Sequence, residues 1–133
     1  MEFQDNIPIY QQIEKYLYRQ IALGLIKPGE KIPSVRQLAV DLTVNVNTVQ
    51  RALNEMNNEG ILEVRRGLGS FVTTDTNLII KKRQELIKET MSEFLESTRQ
   101  LGLTPEETLA ELKNYIEKRG EKSDEWLFKF KEY

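Results

Sequence analysis

The amino-acid sequence predicts a mainly α-helical chain with one small β-hairpin, arranged as an N-terminal domain over residues 1–75 and a two-helix unit over 76–133. Three observations carry this expectation. Between Pro33 and Glu59, two stretches with apolar residues at helical spacing flank a short turn, Thr43-Val44-Asn45. Immediately after Gly60, Ile61–Val64 and Ser70–Thr73 alternate apolar and polar residues around Arg65-Arg66-Gly67-Leu68-Gly69, the pattern of a hairpin with a charged tip. Beyond the polar Thr74–Asn77 the pattern turns to long helical periodicity. Two short helices, a tight turn and a following hairpin describe a winged helix-turn-helix, whose usual ligand is duplex DNA.

The first helix is expected over 7–26, with Pro8 in a position that tolerates proline and Ile9, Ile13, Tyr16, Leu17, Gln20, Ile21 and Gly24 on or near one face. Pro28 and Gly29 end it. Ser34 followed by Gln37 predicts a capping box at the start of the second helix. Val35, Leu38, Ala39 and Leu42 then point inward, and Arg36 stays outside in the first turn. A cation there opposes the helix dipole, and a phosphate bound at the same end would reverse the penalty. An ordinary solvated arginine also satisfies the position.

Asn45 is the expected N-cap of the third helix, which runs to about Glu59 with Val49, Ala52, Leu53 and Met56 as its buried stripe. Asn47, Thr48, Gln50, Arg51 and Asn54 are left outside. Short polar side chains lower helix propensity and add nothing to a core. They do match base edges: Asn and Gln pair with adenine, Arg with guanine, and a Thr methyl touches thymine. In the hairpin, Arg65 and Arg66 either discourage sheet-to-sheet pairing or lie along a groove, on phosphates or in the minor groove.

In the second half, a helix is expected over about 78–101, with Ile80, Ile87, Phe94 and Leu101 spaced by sevens and Leu86, Met91 and Leu95 beside them. Thr104-Pro105-Glu106-Glu107 starts another helix, with Leu109, Leu112, Tyr115 and Ile116 on its apolar face and Arg119-Gly120 as its stop. Two helices of about 40 residues in all cannot form a core alone. The stripe formed by Ile80, Ile87, Met91, Phe94, Leu101, Leu109, Leu112 and Ile116 is therefore expected to pair with a second copy; an intrachain hairpin in a monomer is the alternative. Trp126 and Phe128, in the aromatic tail 121–133, are expected to pack across that dimer or beside the N-terminal domain.

Composition narrows the chemistry. The 133 residues contain neither Cys nor His, which removes thiol catalysis, an imidazole base and the usual zinc ligands. No cofactor and no metal are expected. No long apolar run predicts a membrane span, and the acidic N-terminus lacks the basic start of a signal peptide, so a cytoplasmic location and no membrane partner are expected. The formal net charge is -2, and residues 1–76 contain 8 basic and 9 acidic residues, a balance of -1. DNA binding therefore cannot rest on bulk charge; it must rest on a local field, which decays over about 10 Å at moderate salt.

The succession Gly24, Lys27-Pro28-Gly29, Ile32 to Ala39, Val44 to Leu53, Glu59 to Leu62 and Arg65 to Val72 resembles the N-terminal domain of the GntR family of bacterial transcription regulators, over roughly residues 7–73. The Asn45-Val46-Asn47-Thr48 version is similar to its short YtrA-like subgroup. The resemblance implies a homodimer on an inverted-repeat DNA operator and control of a membrane-transport operon; repression is expected because a wing and recognition helix seated over a promoter would occlude polymerase. It implies DNA contacts from Arg36 at the opening of the second helix, from Asn47, Thr48 and Gln50, and from the Arg65-to-Gly67 tip. With Ser34, Asn45 and Arg51 from the frame above, these make up the expected DNA-binding set. Many members have Arg where Val46 stands and a basic residue where Gln50 stands, so a different operator is expected. Two other readings compete. One adds a small-molecule effector in a pocket between the domain and the C-terminal helices, with Tyr10, Tyr16 and Tyr18 as aromatic candidates. The other is an enzyme, for which the sequence offers no phosphate loop and no evident carboxylate pair.

Overall fold

In a computed structural model, residues 1–120 and Trp126 are described. The element order is α1 (Ile9–Ala22), α2 (Val35–Leu42), α3 (Val46–Asn58), β1 (Leu62–Arg65), β2 (Gly69–Val72), α4 (Thr76–Gln100) and α5 (Pro105–Arg119). The chain forms two compact units, Met1–Arg83 and Gln84–Tyr133. The boundary between these units falls inside α4, whose Lys82 donates to Glu59 of the same first unit.

In the first unit, α3 packs against α1, α2 and β1. Its stripe Val49, Ala52, Leu53 and Met56 is buried, as the periodicity predicts. Ile13, Leu17 and Ile21 of α1, Leu38, Ala39 and Leu42 of α2, and Leu62 and Val72 of the hairpin complete the core. α1 is shorter than the expected 7–26: Pro8 is its N-cap, Leu23 its C-cap, and Gly24 turns away with φ 75°. Ile9 lies outside the core, while Gln12 and Glu14 are buried on the inner face. The Gln12 amide explains its own burial: it bonds the Gln4 backbone at both N–H and carbonyl and donates to the Ile7 carbonyl, tying down the N-terminal segment.

The Ser34 hydroxyl accepts from the Gln37 N–H at 3.1 Å, but the reciprocal half of the expected capping box is missing. The Gln37 amide donates to Asp41 at 2.7 Å instead. The turn between α2 and α3 places Thr43 in the left-handed region, φ 55°, where a β-branched residue is strained. The hairpin is antiparallel, pairing Leu62 with Val72 and Arg65 with Gly69. Arg65 and Gly69 thus belong to the strands, one residue further toward the tip than expected, and the turn proper is Arg66-Gly67-Leu68. Residues 29–32 run along β2 as a third edge, with Gly29 N–H donating to Val72 and Ile32 N–H to Ser70.

In the second unit, α4 ends at Gln100, leaving Leu101 just beyond the helix. Thr104 caps α5 in a full capping box with Glu107, and Pro105 opens the helix, as its sequence predicts. The buried Thr108 hydroxyl donates to the Thr98 hydroxyl at 2.9 Å, and Thr98 donates to the Leu95 carbonyl, pinning the start of α5 to the end of α4. Most of the apolar residues expected to form a stripe remain in solvent: Met91 is 51% exposed, Leu109 70% and Ile116 58%. No helix among the described residues is long and apolar enough to cross a membrane.

Candidate nucleic-acid interface

Burying one side of α3 leaves the other outside. Asn45, Asn47, Gln50 and Asn54 are exposed and Thr48 is half-buried. The Asn45 side chain accepts from the Asn47 N–H at 2.7 Å, which starts the helix and spends one of the two amide heads there. Gln50 donates to the Asn54 side chain at 2.8 Å. That bond uses one N–H of Gln50 and leaves its carbonyl and second N–H available, the donor and acceptor that adenine requires. No carboxylate occurs between Asn45 and Asn54; Glu55 is the first acid along the helix.

The four arginines expected at the site fall into two pairs. Arg36 and Arg66 are exposed, at the first turn of α2 and the hairpin tip, and neither has an ion-pair or stacking partner among the described residues. Arg51 and Arg65 are docked on aromatic rings. The Arg51 guanidinium lies 3.8 Å from the centroid of Tyr10, with Glu55 at 4.0 Å from its Nε. Arg65 lies 4.2 Å from the centroid of Phe71, which stands diagonally across the strands, two residues along from its partner Gly69. Gly67 at the tip has φ 75° and open space around it. Ser34 is committed to its cap. The structure thus keeps ten expected residues, from Ser34 to Gly67, within one compact unit, and it separates those with a partner among the described residues from those without one.

Sequence reasoning missed the aromatic supports and one acid. Tyr10 and Tyr18 stood as candidate ligand aromatics; Tyr10 instead lies beneath Arg51, and Tyr18 is buried beneath Lys82 at 4.7 Å. Glu14 is buried on α1 and hydrogen-bonds Glu55 of α3, with Glu59 and Lys82 nearby. Burial first, then the Glu55 bond and repulsion from Glu55 and Glu59, push its pKa up to about 8 against the pull of Lys82. Lys82 in turn bonds Glu59 at 2.8 Å. The only available signal was Glu14 following Ile13 on an inward face, which periodicity by itself reads as an outward position.

On α4 and α5, Ile80, Ile87, Met91, Phe94, Leu109 and Ile116 are exposed and Leu112 is half-buried; Leu101, between the two helices, is exposed. Trp126 is exposed and stacks with Arg119 at 5.0 Å. Phe128 and the remainder of the expected tail contacts lie outside the described residues.

A recognition helix with a free polar face, a capped preceding helix and a hairpin with an arginine tip define a winged helix-turn-helix DNA-binding protein. Comparison with known proteins agrees: residues 9–72 match the family model described as bacterial regulatory proteins, gntR family. The chain is 37% identical over 116 residues to the uncharacterised HTH-type transcriptional regulator YhcF of Bacillus subtilis, covering 87% of this chain and 96% of YhcF. It is 35% identical over 91 residues to the HTH-type transcriptional repressor YtrA of the same organism, covering 68% of this chain and 70% of YtrA. A GntR family transcriptional regulator from Listeria monocytogenes has a similar structure, with a TM-score of 0.78 and 35% identity over 84% of this chain and 98% of that one. The chain belongs to the GntR family. It is a DNA-binding transcription regulator and not an enzyme.

Proposed function

We propose that this chain is a homodimeric repressor of the YtrA-like kind, acting in the cytoplasm on an inverted-repeat operator. The observation that carries this reading is the outer face of α3: exposed amides at Asn47 and Gln50 on its first two turns, with no acid before Glu55. These residues and Thr48 read base edges in the major groove. Arg36 and Arg66, both without an ion-pair or stacking partner among the described residues, neutralise phosphates beside it or in the adjoining minor groove.

The apolar faces of α4 and α5 supply the dimer. Met91, Leu109 and Ile116 are more than half exposed, and no further layer covers them among the described residues. A second copy covers like with like, as a two-fold interface does. It also joins two reading heads, so that the second half-site is met at high effective concentration. Similarity to a protein named as a repressor supports repression, through occlusion of a promoter. Resemblance to that subgroup extends the proposal to a membrane-transport operon as the regulated target.

Selection of bound duplexes from a random pool tests this directly. The expected outcome is a palindromic pair of half-sites bound by a protein whose solution mass is twice that of the chain. A single unrepeated site, or a monomeric complex, contradicts it.

A further inference from the structure

Of the four arginines at the interface, two already lie over aromatic rings in the protein alone. The better placed is Arg51, halfway along the recognition helix and past the residues that reach base edges. Its guanidinium carbon sits 3.8 Å from the Tyr10 ring centroid, while the arginine side chain remains 63% exposed. Tyr10 comes from the first turn of α1, so the ring reaches Arg51 from a second helix.

The geometry points to Tyr10 as a positioning residue for DNA binding, one that holds Arg51 with its edge turned to a backbone phosphate. This rests on the DNA-binding reading above and adds a residue to it. The chemistry follows from the shape of guanidinium. Its face takes the ring, through stacking and cation–π attraction, and its N–H donors lie in the plane, so one partner does not displace the other. Without the ring, Arg51 has a competing partner one turn along. Glu55 is already at 4.0 Å, a distance at which the pair is barely formed. Tyr10 thus keeps the cation from being neutralised by its own helix, and it orders a long side chain before DNA arrives, which lowers the entropy lost on binding. Phe71 does the same for Arg65 at 4.2 Å on the hairpin, an independent instance of the device in this unit.

The test is a double-mutant cycle on DNA affinity, with a mixed-sequence duplex as probe because phosphate contacts are sequence-independent. Affinity is measured against salt concentration for the wild type, Tyr10→Phe, Tyr10→Ala, Arg51→Ala and the Tyr10→Ala/Arg51→Ala pair. Thermal melting of each variant reports the fold. Arg51→Ala is expected to weaken binding several-fold and to lower the slope of log K against log salt by about 0.9, one phosphate contact. Tyr10→Ala is expected to do most of the same, Tyr10→Phe to behave as wild type, and the double variant to bind as Arg51→Ala does. Loss from Tyr10→Ala that persists in the Arg51→Ala background overturns the proposal, since Tyr10 then acts without Arg51. Wild-type binding by Tyr10→Ala, or a Tyr10→Phe variant as weak as Tyr10→Ala, overturns it as well. Failure of the wild type to bind any duplex is a different result and removes the DNA-binding reading together with this one.

Discussion

Replacing Glu14 by Gln is expected to stabilise the protein above neutral pH and to leave it almost unchanged near pH 5. Glu14 is 8% exposed, and its Oε1 has no hydrogen-bond partner among the described residues. Its own burial disfavours the charged form first of all, and Glu55 of α3, Glu59 at the end of that helix and Lys82 of α4 lie near it. Its pKa rises from 4.5 to about 8. Because the folded value lies above the unfolded one, the folded protein keeps a proton that the unfolded chain releases. The stabilisation from neutral Glu14 is complete below about pH 4.5, declines as pH rises, and is gone above about pH 8. Each pH unit of displacement corresponds to about 1.4 kcal/mol, which sets an upper bound of about 5 kcal/mol. Glu55 and Glu59 are partly open to water, and screening reduces the expected effect to about 1–2 kcal/mol. Glutamine keeps the volume and retains an N–H donor for Glu55, but has no proton to lose. Urea unfolding of wild type and Glu14→Gln across pH 5 to 9 measures the difference. A gap that widens with pH supports the reasoning; a gap independent of pH, or a variant less stable at pH 8.5, refutes it.

Thr43→Gly is expected to raise the unfolding midpoint, by at most about 1 kcal/mol, since φ 55° strains threonine while glycine adds some unfolded-state entropy. Gly69→Ala should destabilise by about 1–3 kcal/mol, chiefly through its φ of 115°, because the 2.8 Å approach of its new Cβ to Lys31 Cε is relieved by moving a flexible side chain; the same urea titration reads it. Phe94→Asp is expected to turn a dimer into a monomer in light scattering at micromolar concentration, with no change in the fold of the first unit by circular dichroism. Arg36→Ala and Arg66→Ala should weaken binding to every duplex alike, whereas Gln50→Ala should lose about 1–3 kcal/mol of discrimination at one base pair; a uniform loss from Gln50→Ala in competition binding would argue against base reading.

The local grammar of this chain was legible without coordinates. Val49, Ala52, Leu53 and Met56 recur at a helical period, Thr104-Pro105-Glu106-Glu107 encodes its own cap, and Gly67 and Gly69 mark the hairpin turn. Such signals act over a few residues, so they survive in the sequence as spacing. They specify the elements, their order and the polar face of α3. Where local signals compete they mislead: the Ser34–Gln37 pair predicts a reciprocal cap, yet Gln37 reaches Asp41 one turn on.

Only the tertiary structure decided what meets across elements. Tyr10 and Arg51 are separated by about half of the first unit in sequence, and the guanidinium lies 3.8 Å from the ring centroid because α1 packs on α3. The same packing buries Glu14 against Glu55 and so shifts a titration that composition would place near 4.5. Pairings of this kind depend on the angle and offset between two helices. Those are set by how whole cores interlock, and no spacing within a single element encodes them.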